Sequence, residues 1–190
     1  MAADPIRNRK QLNQLANYWF KRGNLRNYLL IVLGVLTALR ISDLLRLKWN
    51  DVYDVKRENF RSHLTLTEKK TGKRKVIALN RKAITALRLY FRHRRGEYIF
   101  VNNRKDEKPI RREHAWRVIR AAADAIKAVG RIACHSLRKT FGYFAWKRGV
   151  SPVMLMEVYN HSSFEATRRY LGIAQDDMDR VYMDAAALFI

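Results

Sequence analysis

Arginine, lysine, histidine and tyrosine occur in this chain in a combination that suits chemistry at a phosphate group. Guanidinium groups are always charged and fork-shaped, so two arginines can bind the oxygens of one phosphate. Histidine and lysine side chains can move protons, and a tyrosine hydroxyl can attack as a nucleophile. Such a set needs no metal ion. The candidate residues are Arg40, Lys70, His135, Arg138, His161 and Tyr170.

Short motifs surround these candidates. Arg40 lies in the string TALRISDL, Lys70 immediately precedes Thr-Gly in KKTG, and HSLR contains both His135 and Arg138. The three-residue spacing of that last pair places both side chains on the same face of a helix. Tyr170 follows His161 by nine positions. Any single arginine among 39 lysines and arginines is most simply a solvated charge, so only the joint spacing favours a site.

Together the motifs resemble the catalytic domain of tyrosine recombinases, the phage integrase family of DNA strand-exchange enzymes. The resemblance runs from about Lys10 to Gly172 and so covers nearly the whole chain. It implies an α+β, mostly α-helical fold with a small three-stranded antiparallel sheet. We expect one catalytic domain over residues 1–190, without the N-terminal core-binding domain that family members typically carry.

The resemblance also implies a role for each candidate. Tyr170 forms a 3′-phosphotyrosyl link to DNA, and Lys70 protonates the 5′-oxygen as it leaves. His135 accepts the tyrosine proton or binds the phosphate, whereas His161 donates a hydrogen bond to a non-bridging oxygen. Asp43 matches the family's acidic residue after the first arginine, and we expect it to orient a catalytic histidine or arginine rather than to react.

Other residues of the same types compete for these roles. The position immediately before Thr-Gly selects Lys70 from a hairpin that also contains Lys69, Lys73 and Lys75. Tyr182 competes with Tyr170, but it has no histidine nine residues upstream and is interpreted as a packing residue. Tyr159 is interpreted as a core residue. Three histidines lie outside any matching motif and are interpreted as surface or core residues: His63, His93 and His114.

The chain departs from the family pattern at three places. Ala38 occupies a position where glycine is usual, and Asp43 one where glutamate is common; both are interpreted as mild changes in size. Tyr159-Asn160 replaces the usual Leu-Gly before the histidine. Asparagine tolerates left-handed backbone better than most residues, so we expect that turn to be retained. None of the three changes removes a reacting group.

The composition points to a polyanionic partner. Against the 39 basic residues stand 17 acidic ones, which gives a formal net charge of +22 over 190 residues. A basic protein without chemistry would share this charge. Cys134 is the single cysteine, which fits a reducing compartment, and the apolar run 29–39 is too short to span a membrane. We therefore expect a cytoplasmic protein that binds double-stranded DNA and uses neither metal nor cofactor.

Helical periodicity and capping residues outline the elements that must position the site. Helices are predicted at 11–22, 25–39, 80–96, 111–129, 135–148, 152–159, 163–171 and 176–188. Asn24, Asn80 and Ser151-Pro152 are typical helix starts, and Ser162 with Glu165 has capping-box spacing. Strand-like runs at 52–55, 63–67 and 75–79 predict the three-stranded sheet.

The function that the resemblance implies is site-specific recombination, with cleavage and rejoining of DNA through Tyr170 and self-association on DNA. Two alternatives remain open: a type IB topoisomerase, which shares the chemistry without exchanging partners, and a catalytically silent DNA-binding protein of the same fold. The helix predicted at 176–188 either packs on its own core or docks on a neighbouring protomer.

Overall fold

A computed structural model describes residues 3–102, 107–173, 179 and 182–185. The chain divides into two compact units, Met1–Phe141 and Gly142–Ile190, and each is considered by itself. The mostly helical class with small antiparallel sheets is confirmed. Residues 176–188, where a final helix was predicted, lie largely outside the described residues.

Two helices open the first unit. Asn8 caps α1 (Arg9–Phe20), and the side chain of Asn24 caps α2 (Leu25–Leu36) by accepting from the N–H of Asn27, as predicted. Residues 27–35 of α2 are all buried, so this helix forms the centre of the core. Helix α1 packs against it. The predicted helix to residue 39 ends earlier because Ala38 adopts a positive φ of 50°.

Two short helices and two hairpins follow. These are α3 (Ile41–Leu44), α4 (Trp49–Val52), β1 (Tyr53–Asp54) with β2 (Asn59–Phe60), and β3 (His63–Thr67) with β4 (Arg74–Ala78). The predicted three-stranded sheet is wrong: β1 pairs with β2 and β3 pairs with β4, in separate two-stranded sheets. A tight turn with Glu58 at φ 48° returns the chain onto β1, so β1 pairs locally instead of joining β3.

The remaining helices of the first unit complete its core. Asn80 caps α5 (Arg81–Phe91) as predicted, and α5 packs on α2 while α6 (Arg112–Ala125) packs on α1. α7 (Cys134–Trp146) includes the boundary between the two units. Near the N-terminus, Ile6 is buried and its N–H donates to the hydroxyl of Thr140 on α7 at 2.8 Å.

The second unit contains α8 (Pro152–Tyr159) and α9 (Phe164–Leu171), packed on each other. Ser151 caps α8 as predicted, but the cap of α9 is Ser163, not Ser162. The hydroxyl of Ser163 accepts from the N–H of Ala166, three residues on, which is the spacing a cap requires. Asn160 ends α8 in the left-handed conformation that the sequence predicted, at φ 53°.

Candidate active site

Arg40 follows the left-handed turn between α2 and α3. It occupies the N-cap position of α3, with extended backbone. The turn directs the guanidinium towards the end of β3. Its Nη1 lies 2.8 Å from Oε1 of Glu68, and the atoms are not aligned for a hydrogen bond, so the contact is an ion pair. Arg40 keeps 19 % of its side chain exposed, which leaves it open to a ligand.

Glu68 is a buried carboxylate that sequence reasoning missed. Its side chain is fully buried, yet it lies only one residue beyond a hairpin strand. The hydroxyl of Thr71 donates to Oε2 at 2.9 Å, and the Glu68 backbone closes the turn with Gly72 and Lys73. Glu68 therefore ties Arg40 to the β3–β4 hairpin.

Arg138 lies on α7 and is only 3 % exposed. Its Nη1 donates a hydrogen bond to the backbone carbonyl oxygen of Ala38. His135 lies one turn earlier on the helix, where its side chain is partly exposed to solvent. Partial burial, followed by the positive charges of Arg112 and Arg138, lowers the pKa of His135 from its ordinary value of 6.5. The imidazole is thus largely neutral at pH 7 and able to accept a proton.

The hairpin turn carries Lys70, which is exposed. Asp43 is buried, and its Oδ1 accepts a hydrogen bond from the backbone N–H of Lys69 at 2.9 Å. Asp43 was expected to orient a histidine or an arginine. The structure instead places this carboxylate against the hairpin backbone, next to Lys70, where it fixes the base of the turn.

Lys75 is the second charged residue that sequence reasoning missed as a site member. Its Nζ lies 3.8 Å from Oε1 of Glu68, and only 12 % of the side chain is exposed. Burial, and then Arg138 and Arg40, lower the pKa of Lys75 from 10.5 to about 8, although Glu68 opposes that shift. The available signal was strand alternation, because residues 75 and 77 of β4 point inwards between exposed neighbours.

The second unit brings His161 and Tyr170 together. Their ring centroids are 5.2 Å apart, edge to face, and Tyr159 packs against both rings. Tyr159 is fully buried, as predicted for a core residue. Tyr182 was interpreted as a packing residue, but it is 75 % exposed, so that interpretation is wrong in this structure because its ring faces solvent.

A threonine orients the histidine ring. Nδ1 of His161 lies 3.1 Å from the hydroxyl oxygen of Thr167, and that hydroxyl is 3.3 Å from the carbonyl oxygen of Ser163. Since the Thr167 hydroxyl donates to the carbonyl, its oxygen accepts from Nδ1–H. The Nε2 atom then donates only when the ring is a cation, and it accepts when the ring is neutral.

The predicted residues therefore form two local groups. The first unit gathers Arg40 and Arg138 around the Ala38 turn, with Lys70 on the hairpin fixed to it and His135 on the helix of Arg138. The second unit places His161 against Tyr170. Within the described parts of the chain, no group of three or more acidic, histidine or cysteine side chains could hold a metal ion. None of the described helices has the length and apolar character needed to cross a bilayer.

The three remaining histidines take no part in these groups. His63 and His93 are exposed, and His114 contacts the guanidinium of Arg26 at 3.2 Å. Their interpretation as surface or core residues agrees with these positions. Cys134 is buried, and that burial raises the pKa of its thiol to about 11.

Known proteins are similar to this chain in sequence over most of its length. A probable integrase/recombinase of Bacillus subtilis, YoeC, is 36% identical over 179 residues, which cover 94% of each chain. The tyrosine recombinase XerA of Pyrococcus furiosus is 28% identical over 80% of this chain, which spans about half (52%) of that relative.

Solved structures give the same fold at lower identity. A crystal structure of XerA recombinase superposes with a TM-score of 0.76 at 19% identity, covering 96% of this chain and 66% of that one. XerH bound to a palindromic difH substrate, in a post-cleavage complex, also gives 0.76, at 17% identity, covering 95% and 53%. The sequence profile of the phage integrase family matches residues 7–176. This chain belongs to the phage integrase family.

Proposed function

We propose that this protein is a site-specific recombinase that cleaves and rejoins double-stranded DNA through Tyr170. The observation that carries the proposal is the packing of the Tyr170 ring against the His161 ring, with centroids 5.2 Å apart. Tyr170 lies on α9, and His161 lies in the turn between α8 and α9. A tyrosine hydroxyl is a weak nucleophile at neutral pH, so it requires polar partners that accept its proton and stabilise the phosphate.

The proposed chemistry gives each group the role that the family resemblance implies. The Tyr170 oxygen attacks the scissile phosphorus, its proton passes to neutral His135, and the bond to the 5′-oxygen breaks. Lys70 protonates that oxygen, which leaves a 3′-phosphotyrosine and a free 5′-hydroxyl. Arg40 and Arg138 neutralise the charge that grows on the non-bridging oxygens in the transition state. The covalent link keeps the bond energy, so a second strand end can reverse the reaction and rejoin the DNA.

The net charge of +22 supports DNA as the substrate, since neutralising phosphates and releasing their counterions dominates such binding. Strand exchange joins four strand ends, so we include self-association on DNA in the proposal. The reaction takes place in the cytoplasm, where the DNA and reducing conditions for Cys134 are found.

Covalent trapping tests the proposal. The protein is mixed with a library of random-sequence duplexes, adducts are isolated on denaturing gels, and their DNA is sequenced. The recovered site is then rebuilt as a nicked duplex, on which the adduct accumulates because the cleaved end diffuses away. Wild-type protein and Tyr182→Phe form the adduct, whereas Tyr170→Phe binds the duplex without forming one.

Each outcome discriminates between functions. An adduct that persists in Tyr170→Phe would assign the nucleophile elsewhere, and no adduct from the wild-type protein would favour the silent DNA-binding alternative. Strand exchange between two copies of the site separates a recombinase from a topoisomerase, which would relax supercoiled DNA but exchange nothing.

A further inference from the structure

The first unit contains a buried cluster in which positive charge exceeds negative charge. The charge of Lys75 interacts electrostatically with two other cations, Arg40 and Arg138, and with the carboxylates of Asp43 and Glu68. The Glu68 side chain is fully buried, and Lys75 and Arg40 expose only 12 % and 19 % of theirs. Three cations at low exposure repel one another, because screening by water is weak there.

The carboxylate of Glu68 brings two of these cations to one point. Its Oε1 atom lies 2.8 Å from Nη1 of Arg40 and 3.8 Å from Nζ of Lys75. Two cations that share one carboxylate oxygen are only partly neutralised by it. Each retains attraction for a further anion.

We propose that Lys75 is a further phosphate-binding residue of the active site, held beside Arg40 by the carboxylate of Glu68. The proposal rests on the proposed function, since the anion is the scissile phosphodiester. Glu68 is the positioning residue of this arrangement, because it contacts Arg40 and Lys75 but, as an anion, does not contact the phosphate.

The backbone explains why Lys75 differs from the other lysines of the hairpin. Lys75 lies within β4 and pairs with Leu66 of β3, so its position is fixed by the ladder and its side chain points inwards. Lys70 and Lys73 lie on the exposed turn, where their long side chains are not confined. A confined ammonium group contributes to catalysis more than a mobile one because less of its freedom is lost on binding.

Phosphate binding should leave a proton signature. The pKa of Lys75 in the free protein is about 8, set by burial and by Arg138 and Arg40 against Glu68 and Asp43. A bound phosphodiester adds negative charge beside Nζ and raises that pKa. At pH 8 the protein should then take up roughly half a proton through this residue when DNA binds.

The experiment combines cleavage with calorimetry. Single-turnover cleavage of the nicked duplex is measured for Lys75→Met, Lys75→Arg and the matched control Lys73→Met, which removes an exposed lysine from the same hairpin. Lys75→Met should be slower by about tenfold or more, Lys73→Met should stay close to wild type, and Lys75→Arg should recover most of the rate.

Proton uptake is measured on the Tyr170→Phe background, where DNA binds without reacting. Titrations at pH 8 in buffers of different ionisation enthalpy should show the extra uptake in the parent and with Lys73→Met. It should disappear in both Lys75 variants, because methionine and arginine do not titrate there. Glu68→Gln should lower the cleavage rate while the Kd for DNA is kept, and Glu68→Asp should recover part of the rate.

Two results would overturn the inference: Lys75→Met cleaving as fast as Lys73→Met, or proton uptake that is unchanged in Lys75→Arg. Should Lys75→Met fail to fold, the proton uptake measured for Lys75→Arg decides the matter, because its persistence would overturn the inference. An adduct formed by the wild-type protein with no effect at Lys75 rejects this inference alone. No adduct at all rejects the proposed function.

Discussion

The Arg138 guanidinium donates a hydrogen bond to the backbone carbonyl oxygen of Ala38, a residue whose own φ is 50°. The left-handed turn presents this carbonyl to α7, and two residues later the same turn directs Arg40 towards Glu68. One turn of backbone thus fixes both arginines of the first unit. Ala38 is fully buried, so the geometry cannot relax into solvent.

We predict that Ala38→Gly leaves the stability of the protein nearly unchanged, whereas the same substitution in a right-handed helix lowers it. Left-handed backbone costs a residue with a Cβ roughly 1–2 kcal/mol, which exceeds the entropy of about 0.5–1 kcal/mol that glycine loses on folding. The loss of the buried methyl group costs roughly 0.8 kcal/mol more, so the free energy of unfolding in urea should stay within about 0.5 kcal/mol of wild type. Ala83→Gly, in buried right-handed helix, is the control: it loses the same buried methyl group without relief of strain and should cost about 2 kcal/mol. Equal losses for both variants would contradict the strain argument.

A second prediction separates transition-state contacts from ordinary phosphate contacts. Arg40→Ala and Arg138→Ala should each slow single-turnover cleavage on the order of 100-fold, while the affinity for DNA changes little. Arg57→Ala, at an exposed turn, should leave both quantities close to wild type. Arg138→Lys keeps the charge but loses the fork, so it should recover little of the rate. If binding and cleavage fell by the same factor, these arginines would be ordinary contacts to the DNA phosphates and would have no special role in the transition state.

The third prediction concerns acid pH. The pKa of His135 lies below 6.5, so its neutral form persists at pH 7 and is lost as the pH falls through that lowered pKa. Cleavage should decline on the acid side, and His135→Gln should be slow with a flatter profile. The unfolded chain binds the proton more readily, so the contribution of His135 to stability also decreases below pH 6.5. An unchanged acid limb in the variant would exclude His135 as the proton acceptor.

The fourth prediction tests packing beneath the nucleophile. A Cβ added at Gly142 would collide with the side chains of Tyr159 and Leu171. Gly142→Ala should therefore cost roughly 1–3 kcal/mol and slow adduct formation, because Leu171 adjoins Tyr170 on α9. At Gly149, where φ is 78°, an added Cβ meets no atom within 4 Å. Gly149→Ala should strain only its own backbone and leave the adduct rate unchanged; a similar kinetic loss there would refute the packing explanation.

Sequence patterns predicted the helices well because caps and apolar periodicity are local properties. Asn24, Asn80 and Ser151 begin helices as expected, and Asn160 adopts the expected left-handed conformation. The third strand failed because strand pairing depends on the path of the intervening turn, which is not visible in apolar runs. At Ala38 the missing glycine was interpreted as a change in size, whereas the structure shows a requirement of the backbone.

The candidate site was predictable only where motifs fix it. Arg138 and His135 share a helix as their spacing indicated, and Tyr170 lies against His161. Glu68 and Lys75 were not predictable, since each is one charge among many in a charged hairpin. Their burial follows from strand alternation and from contact with Arg40, a residue 28 positions from Glu68.

The hydrogen bond from the backbone N–H of Ile6 to the side-chain hydroxyl of Thr140 has a practical consequence for protein engineering. Thr140 lies two residues from Arg138 on α7. Just before that helix begins, the backbone N–H of Arg131 donates a hydrogen bond to the carboxylate of Asp4. An affinity tag or fusion partner joined upstream therefore attaches to a segment whose hydrogen bonds hold α7 in place. Tags on this protein should be separated from Asp4 by a flexible spacer, and a protease that removes them should not trim past Asp4.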